Sequence, residues 1–167
     1  MLDPAPLYQF LSQHGIAFER HDHPPVYTCE EADEHVPSLP ATKTKNLFLR
    51  DKKGRRHFLV TVSPEKTVDL KALSKTLEVS GLSFGSAERL DRCLGIEPGA
   101  VSLLAALNDK EGAVSIVVDA DLWESSAFLC HPLVNTSTLV IDKADLERFL
   151  NLTGHEVKNA NVPSKDC

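Results

Sequence analysis

Residues 45–62, KNLFLRDKKGRRHFLVTV, decide the fold expected for this chain of 167 residues. Two apolar runs, residues 46–50 and 57–62, flank the polar turn Asp51-Lys52-Lys53-Gly54. Apolar runs on either side of a short turn that contains glycine are typical of a β-hairpin. The sequence therefore predicts a hairpin whose turn is strongly basic.

Further elements are predicted on both sides of the hairpin from caps, apolar periodicity and chain breakers. Strands and helices do not strictly alternate, which favours an α/β or mixed α+β class with one mixed sheet and outer helices. We expect one domain over residues 1–167, and a polar tail after residue 154 that frays. Helices are expected over about 4–14, 29–36, 70–77, 87–94 and 143–152, and strands over 16–20, 46–50, 57–62, 82–84, 101–107, 113–119, 128–131 and 138–141.

Composition excludes several classes of protein. With 42% hydrophobic and 25% charged residues, the chain has enough apolar content to fold. No apolar run is long enough for a membrane helix, and the first residues lack the features of a signal peptide, so we expect a cytoplasmic protein. The four cysteines form no CxxC pair and are expected to be reduced thiols. Motifs for nucleotide hydrolysis, dinucleotide binding and zinc hydrolysis are absent from the sequence.

Charge is unevenly distributed along the sequence. Residues 43–56 carry seven basic side chains and one acidic one, a net charge of +6, in a chain whose total is -6. Basic side chains commonly protect exposed turns and strand edges, and on charge alone this is the favoured interpretation. A surface that contacts a few phosphates is the alternative.

Two segments combine polar side chains with apolar strands in a way that suggests chemistry. In the first, Lys45 and Asn46 open the first hairpin strand. In the second, His131 ends an apolar strand and precedes a polar turn. A solvated lysine and an ordinary histidine at the end of a strand are the competing interpretations. Cys130 beside His131 is expected to be a core residue, because neighbours on a strand point to opposite faces.

Taken together, these segments resemble the freestanding prolyl-tRNA editing proteins of the YbaK and ProX type. The resemblance runs from about residue 21 to about residue 150. It is carried by residues 45–49 with the basic hairpin, by residues 94–101 (LGIEPGAV), by residues 105–109 and by residues 131–135 (HPLVN). The LGxxPG stretch and the compact length are more similar to the branch that removes alanine from proline tRNA than to the cysteine-specific branch.

The resemblance implies a central, barrel-like mixed sheet of about seven strands surrounded by helices. It implies hydrolysis of the ester between a wrong amino acid and the 3′ adenosine of tRNA, without a metal or organic cofactor. Lys45 would hold the terminal phosphate or stabilise charge near the ester, and Asn46 and His131 would border the substrate. The expected substrate-binding residues are Val26, Tyr27, Leu47, Gly95, Pro98, Gly99, Leu103, Val134 and Asn135. The expected tRNA-binding residues are Lys43, Arg50, Lys52, Lys53, Arg55 and Arg56.

The expected partners are tRNA(Pro) charged with alanine and, transiently, prolyl-tRNA synthetase. Ser102-Leu103 stands where related proteins often have a hydroxyl residue followed by proline, so the amino-acid preference is less firmly implied than the reaction. Two alternatives stay open. The same chemistry could act on Cys-tRNA or Ser-tRNA, or the chain could be a non-catalytic adaptor that binds tRNA or a synthetase.

Overall fold

The computed structural model describes residues 3–25 and 41–165, and within these residues eight strands form two open sheets. The mixed α/β class predicted from the sequence is confirmed, but the sheets do not close into a single barrel. None of the described helices is long and apolar enough to cross a membrane. The helices are α1 (Ala5–Gln13), α2 (Leu70–Thr76), α3 (Ala87–Leu94) and α4 (Lys143–Leu152), and the strands are β1 (Glu19–Asp22), β2 (Lys45–Asp51), β3 (His57–Val62), β4 (Leu82–Phe84), β5 (Val114–Asp119), β6 (Ala127–Cys130), β7 (Ser137–Asp142) and β8 (Val157–Ala160).

The larger sheet is mixed and the smaller one is antiparallel. The larger sheet has the order β4-β2-β3-β5-β8, with antiparallel pairs around β2 and parallel pairs on both sides of β5. The smaller sheet has the order β1-β7-β6. Thr42, just before β2, pairs in parallel with Phe128 in β6. This bridge joins the two sheets.

The basic hairpin forms with the predicted strands. Lys45 pairs with Val62 at the open end of the hairpin. At the closed end the Asp51 carboxylate accepts hydrogen bonds from the backbone N–H groups of Arg55 (2.8 Å) and Arg56 (3.1 Å). Gly54 has a φ of +69°, a conformation that favours glycine. The turn is therefore held by its own backbone and one carboxylate, and its cationic side chains stay outside.

Two apolar cores lie against opposite faces of the larger sheet. Phe48 belongs to the larger core, which includes residues of α1, α3 and α4. Leu49 belongs to the smaller core with Leu73 of α2. Successive side chains on a strand point to opposite faces, so the residues of β2 alternate between the two cores. The same alternation separates Lys45 from Asn46.

The strand predicted over residues 101–107 is wrong. The segment forms 3₁₀ helix over Leu103–Asn108, with Ser102 as its N-cap. The Ser102 hydroxyl accepts a hydrogen bond from the Leu104 N–H at 3.1 Å, which favours a helical turn. Residues 103–106 are all buried. A run that is apolar on every side has no period-2 signal, so it could not be distinguished from a buried strand.

The prediction that the segment after residue 154 frays is also wrong. β8 pairs in parallel with β5, and Val162 beyond it is only 3% exposed. The strand has few apolar residues because it lies at the edge of the sheet, where only one side is paired. The helix predicted over 29–36 and the predicted pocket residues Val26 and Tyr27 lie outside the described residues.

Candidate functional site

Lys45 and Asn46 begin β2 and contact different loops. The Lys45 ammonium donates a hydrogen bond to the backbone carbonyl of Lys66, in the loop after β3. The Asn46 amide nitrogen donates to the carbonyl of Val101 at 3.4 Å, and its oxygen accepts from the Thr61 hydroxyl at 2.6 Å. Asn46 therefore links the hairpin to the glycine-containing loop at residues 95–101. That loop is one of the segments singled out from the sequence.

A buried ion pair supports the carbonyl that Lys45 contacts. The Lys66 ammonium lies 2.5 Å from the Asp119 carboxylate and 2.9 Å from the Val162 carbonyl. The same carboxylate accepts from the Val162 N–H at 3.3 Å. The Asp119 side chain is 3% exposed and that of Lys66 21%. Sequence reasoning missed this arrangement because Lys66 and Asp119 are 53 residues apart and belong to no motif.

His131 follows β6 and is half-buried. Burial lowers its pKa and electrostatic repulsion by the His23 ring lowers it further, while a hydrogen bond to the Ser137 carbonyl acts in the opposite direction. The ring is therefore neutral at pH 7. Its Nδ1 lies 3.4 Å from the Ser137 carbonyl, which can only accept, so Nδ1 carries the proton. Nε2 is left as a hydrogen-bond acceptor.

At the junction between the sheets, the segments that lead to Lys45 and to His131 run parallel to each other. Thr42 pairs in parallel with Phe128, and the Thr44 hydroxyl donates to the Leu129 carbonyl at 2.9 Å. Because the bridge is parallel, Lys45 follows Thr42 and His131 follows Phe128 in the same direction, each by three residues. The residue that opens β2 and the residue that follows β6 thus lie at the same end of the junction.

The turn after His131 has a strained residue. Leu133 has a φ of +68°, a conformation that a side chain other than glycine rarely adopts, yet it is 5% exposed. Burial of its side chain offsets a backbone cost of about 1–2 kcal/mol. Val134 is 6% exposed and Asn135 is half-buried. Such strain is concentrated at functional sites. No sequence signal pointed to it.

The loop from Gly95 to Val101 is shaped by a helix end. Gly95 ends α3 with a φ of +64°, and the Asn108 amide donates to the Leu94 carbonyl at 2.8 Å. Pro98 is exposed and Gly99 half-buried, so this loop has surface available to a ligand.

Of the other predicted lining residues, Leu47 is half-buried on β2 and Leu103 is 2% exposed in the larger core.

The basic turn lies at the opposite end of β2 from Lys45. β2 has seven residues, so six steps of about 3.3 Å place its two ends about 20 Å apart. The basic turn is therefore distant from Lys45, whereas Lys43 lies near it, just before β2.

Arg89 of α3, which sequence reasoning missed, donates to the Gly54 carbonyl at 3.1 Å and lies 3.1 Å from His57 Nε2. This contact attaches α3 to the turn.

His57 makes this attachment sensitive to pH. Burial and the positive charges of Arg89 and Arg92 lower the His57 pKa below its ordinary value of 6.5. The unfolded chain therefore binds more protons than the folded chain below about pH 6.5, and stability falls as the pH decreases through this range. Urea unfolding at several pH values measures this dependence, and we expect His57→Gln to flatten it. Equal slopes in the two proteins would contradict a link between His57 protonation and folding.

Cys130 does not supply a nucleophile to this region. The residue is 4% exposed, and burial raises the pKa of its thiol to about 12. A thiol with that pKa is protonated at pH 7, and the thiolate is the reactive form. This agrees with the prediction that Cys130 is a core residue.

Comparison with known proteins identifies the class. The fold is similar to a crystal structure provisionally assigned as a trans-editing enzyme for prolyl-tRNA synthetase, with a TM-score of 0.69 and 21% identity over 95% of this chain and 97% of that one. The aminoacyl-tRNA editing domain model matches residues 23–149. The chain therefore belongs to the aminoacyl-tRNA editing domain family.

Two relatives show how far the likeness extends. The prolyl-tRNA editing protein ProX of Acetoanaerobium sticklandii is 39% identical, over 82% of this chain and 84% of that protein. The prolyl-tRNA synthetase associated domain-containing protein 1 of Danio rerio is also 39% identical, over 89% of this chain and 82% of that protein. The family resemblance inferred from the sequence motifs is confirmed.

Proposed function

We propose that this protein is an aminoacyl-tRNA deacylase that acts in trans and hydrolyses mischarged Ala-tRNA(Pro). The observation that supports the proposal is that Lys45 and His131 follow the parallel bridge between the sheets on the same side, in a chain of the aminoacyl-tRNA editing domain family. The names of the relatives, which refer to prolyl-tRNA editing and to prolyl-tRNA synthetase, support the choice of proline tRNA. A transient contact with that synthetase and a cytoplasmic location belong to the same proposal.

The reaction needs no protein nucleophile. Water attacks the ester carbonyl, the bond from the acyl carbon to the ribose oxygen breaks, and the ribose oxygen takes a proton as the free amino acid leaves. The neighbouring ribose hydroxyl relays that proton. Lys45 either stabilises the negative charge that develops on the carbonyl oxygen or holds the terminal phosphate. Positioning supplies much of the remaining acceleration, because the water and the ester are held together.

Asn46 and the neutral His131 border the substrate in this proposal. The Asn46 side chain is held by two hydrogen bonds, to Val101 and from Thr61, so its orientation is set before a substrate binds. His131 presents Nε2 as an acceptor, which suits a hydrogen bond from a ribose hydroxyl or from the attacking water. We assign substrate contacts to Leu47, the loop at residues 95–101 and the turn at residues 131–135.

Size exclusion gives the amino-acid preference. A synthetase site built for proline cannot strongly exclude the smaller alanine, so a second site must remove the error. An editing pocket that fits a methyl group rejects proline by its bulk. The same pocket discriminates less well against serine and cysteine, which are only one heavy atom larger than alanine.

A panel of charged tRNAs tests the proposal. We expect the wild-type protein to hydrolyse Ala-tRNA(Pro) fastest, to leave Pro-tRNA(Pro) intact and to act more slowly on Ser- and Cys-tRNA. Release of the labelled amino acid is measured at equal enzyme concentration, with buffer alone as the control. Faster hydrolysis of Cys- or Ser-tRNA would overturn the alanine preference. Retained tRNA binding without hydrolysis above buffer would identify an adaptor.

A further inference from the structure

A large aromatic side chain is exposed at the edge of the larger sheet. Phe84, the last residue of β4, is 62% exposed, whereas the other Phe residue in the same row of the sheet, Phe58, is 2% exposed. Single exposed apolar residues are common on protein surfaces, so exposure alone indicates no function. The neighbours of Phe84 carry the inference.

Phe84 belongs to a row of apolar side chains that ends at an arginine. Phe84 pairs with Leu49, and Leu49 pairs with Phe58, so the three side chains lie on one face of the sheet. Directly paired residues on adjacent strands place their side chains side by side. The Arg56 guanidinium lies 5.1 Å from the centre of the Phe58 ring. One end of the row is thus covered by a stacked cation, and the other end is open.

Positive charge gathers at the closed end of the hairpin, which begins two residues of strand beyond Leu49. Arg89 holds α3 against the turn from the opposite face of the sheet, so the cations on the Phe84 side come from the turn. The turn's one carboxylate, Asp51, is 8% exposed and accepts backbone hydrogen bonds, so little of it faces a ligand. An open aromatic ring beside a cationic turn is a combination that binds single-stranded nucleic acid. The cations of the turn are Lys52, Lys53, Arg55 and Arg56.

The distance between Phe84 and Lys45 suits the last nucleotides of an RNA strand. Lys45 and Leu49 lie on the same face of β2, four residues apart, which is about 13 Å. A stacked strand advances about 3.4 Å per nucleotide, so this distance corresponds to about four nucleotides. β4 pairs only with Leu49–Asp51, and the preceding residue Leu47 is half-buried. The part of β2 nearer Lys45 is therefore not covered by β4.

We propose that Phe84 stacks on a nucleobase of the 3′ strand of tRNA, about four nucleotides from the ester. This inference rests on the proposed function, which places the ester at Lys45. The surrounding cations contact the phosphates, and Phe84 supplies affinity that does not depend on salt. Charge favours RNA as the ligand here, because a basic surface on an acidic protein attracts a polyanion.

Binding of an uncharged acceptor minihelix tests the role of Phe84. We expect Phe84→Ala to raise the dissociation constant about 5- to 100-fold, measured by fluorescence anisotropy, and Phe84→Trp to preserve affinity. The slope of affinity against salt should not change, because no charge is removed. Leu152→Ala is the matched control, since Leu152 is 46% exposed on α4, and it should bind like the wild type.

Removing the base tests the stacking itself. A minihelix with an abasic nucleotide four positions from its 3′ end should bind wild type as weakly as Phe84→Ala binds the intact minihelix. Combining the two changes should cause little further loss. Unchanged RNA affinity in Phe84→Ala, or fully additive losses, would overturn the proposal. Loss of synthetase binding with intact RNA affinity would overturn it too, by showing a protein-binding surface.

The outcome for Phe84 is separable from the outcome for the proposed function. At saturating enzyme, Phe84→Ala should cleave Ala-tRNA(Pro) at the wild-type rate, because stacking contributes to binding. If wild type cleaves no ester and Phe84→Ala still loses RNA affinity, the deacylase proposal fails and the stacking site stands. If wild type cleaves the ester and Phe84→Ala binds RNA as tightly as wild type, the deacylase proposal stands and the stacking proposal fails.

Discussion

Lys45→Ala is expected to lower kcat/KM for hydrolysis of Ala-tRNA(Pro) by about 100- to 1000-fold. Removing a donor that stabilises a developing oxyanion has a cost of this size in other enzymes. The ammonium is held by the Lys66 carbonyl at the start of β2, so it is already placed before the substrate arrives. Single-turnover and steady-state rates with charged tRNA measure the effect.

The division of this loss between kcat and KM distinguishes the two roles given to Lys45. A fall in kcat indicates stabilisation of the reacting carbonyl, whereas a rise in KM alone indicates a phosphate contact that is the same in the ground and transition states. Lys71→Ala removes the same charge from the exposed surface of α2 and should be fully active. Wild-type rates in Lys45→Ala would show that this side chain takes no part in the reaction.

Asp119→Ala is expected to lower the free energy of unfolding by about 3 kcal/mol, because it leaves Lys66 with an unpaired charge in a largely buried place. Urea unfolding measures the loss. The substitution also removes the carboxylate that ties the loop after β3 to the C-terminal segment through Val162. We therefore expect deacylation to fall at temperatures where the variant is still folded.

The controls for Asp119 separate charge burial from a general effect of losing a carboxylate. Asp121→Ala, two residues along and exposed, should have wild-type stability. Replacing both partners with apolar residues, as in Lys66→Met with Asp119→Leu, should recover most of the lost stability, since no buried charge is then left unpaired. An Asp119→Ala protein as stable as wild type would show that the ion pair contributes nothing to folding.

Local signals in the sequence predicted most of the secondary structure. β3 and β4 occupy the predicted residues, and α3 begins at the Ser86 cap and ends at Gly95 as expected. In each case the deciding residues lie within a few positions of the element they define. The strand prediction was wrong at residues 103–106 because their burial is set by residues distant in sequence. A local hydrophobic period does not reveal such contacts.

Motifs indicated which segments matter at the site, but not how they are held. Lys45 and His131 could be singled out because each breaks the pattern of an apolar strand. The support of Lys45 by Lys66 and Asp119 depends on a contact across 53 residues, and the left-handed Leu133 depends on tertiary packing. The position of the basic turn followed from the length of β2, which separates it from Lys45 by about 20 Å.

The bridge between Thr42 and Phe128 has a consequence for how the site can evolve. Lys45 opens a strand of the larger sheet and His131 follows a strand of the smaller one, and backbone hydrogen bonds at Thr42 join the two segments three residues before them. The backbone hydrogen bonds at Thr42 do not depend on its side chain, so position 42 is free to vary in sequence while the pairing persists. A single-residue insertion between Thr42 and Lys45 would instead shift one half of the site against the other.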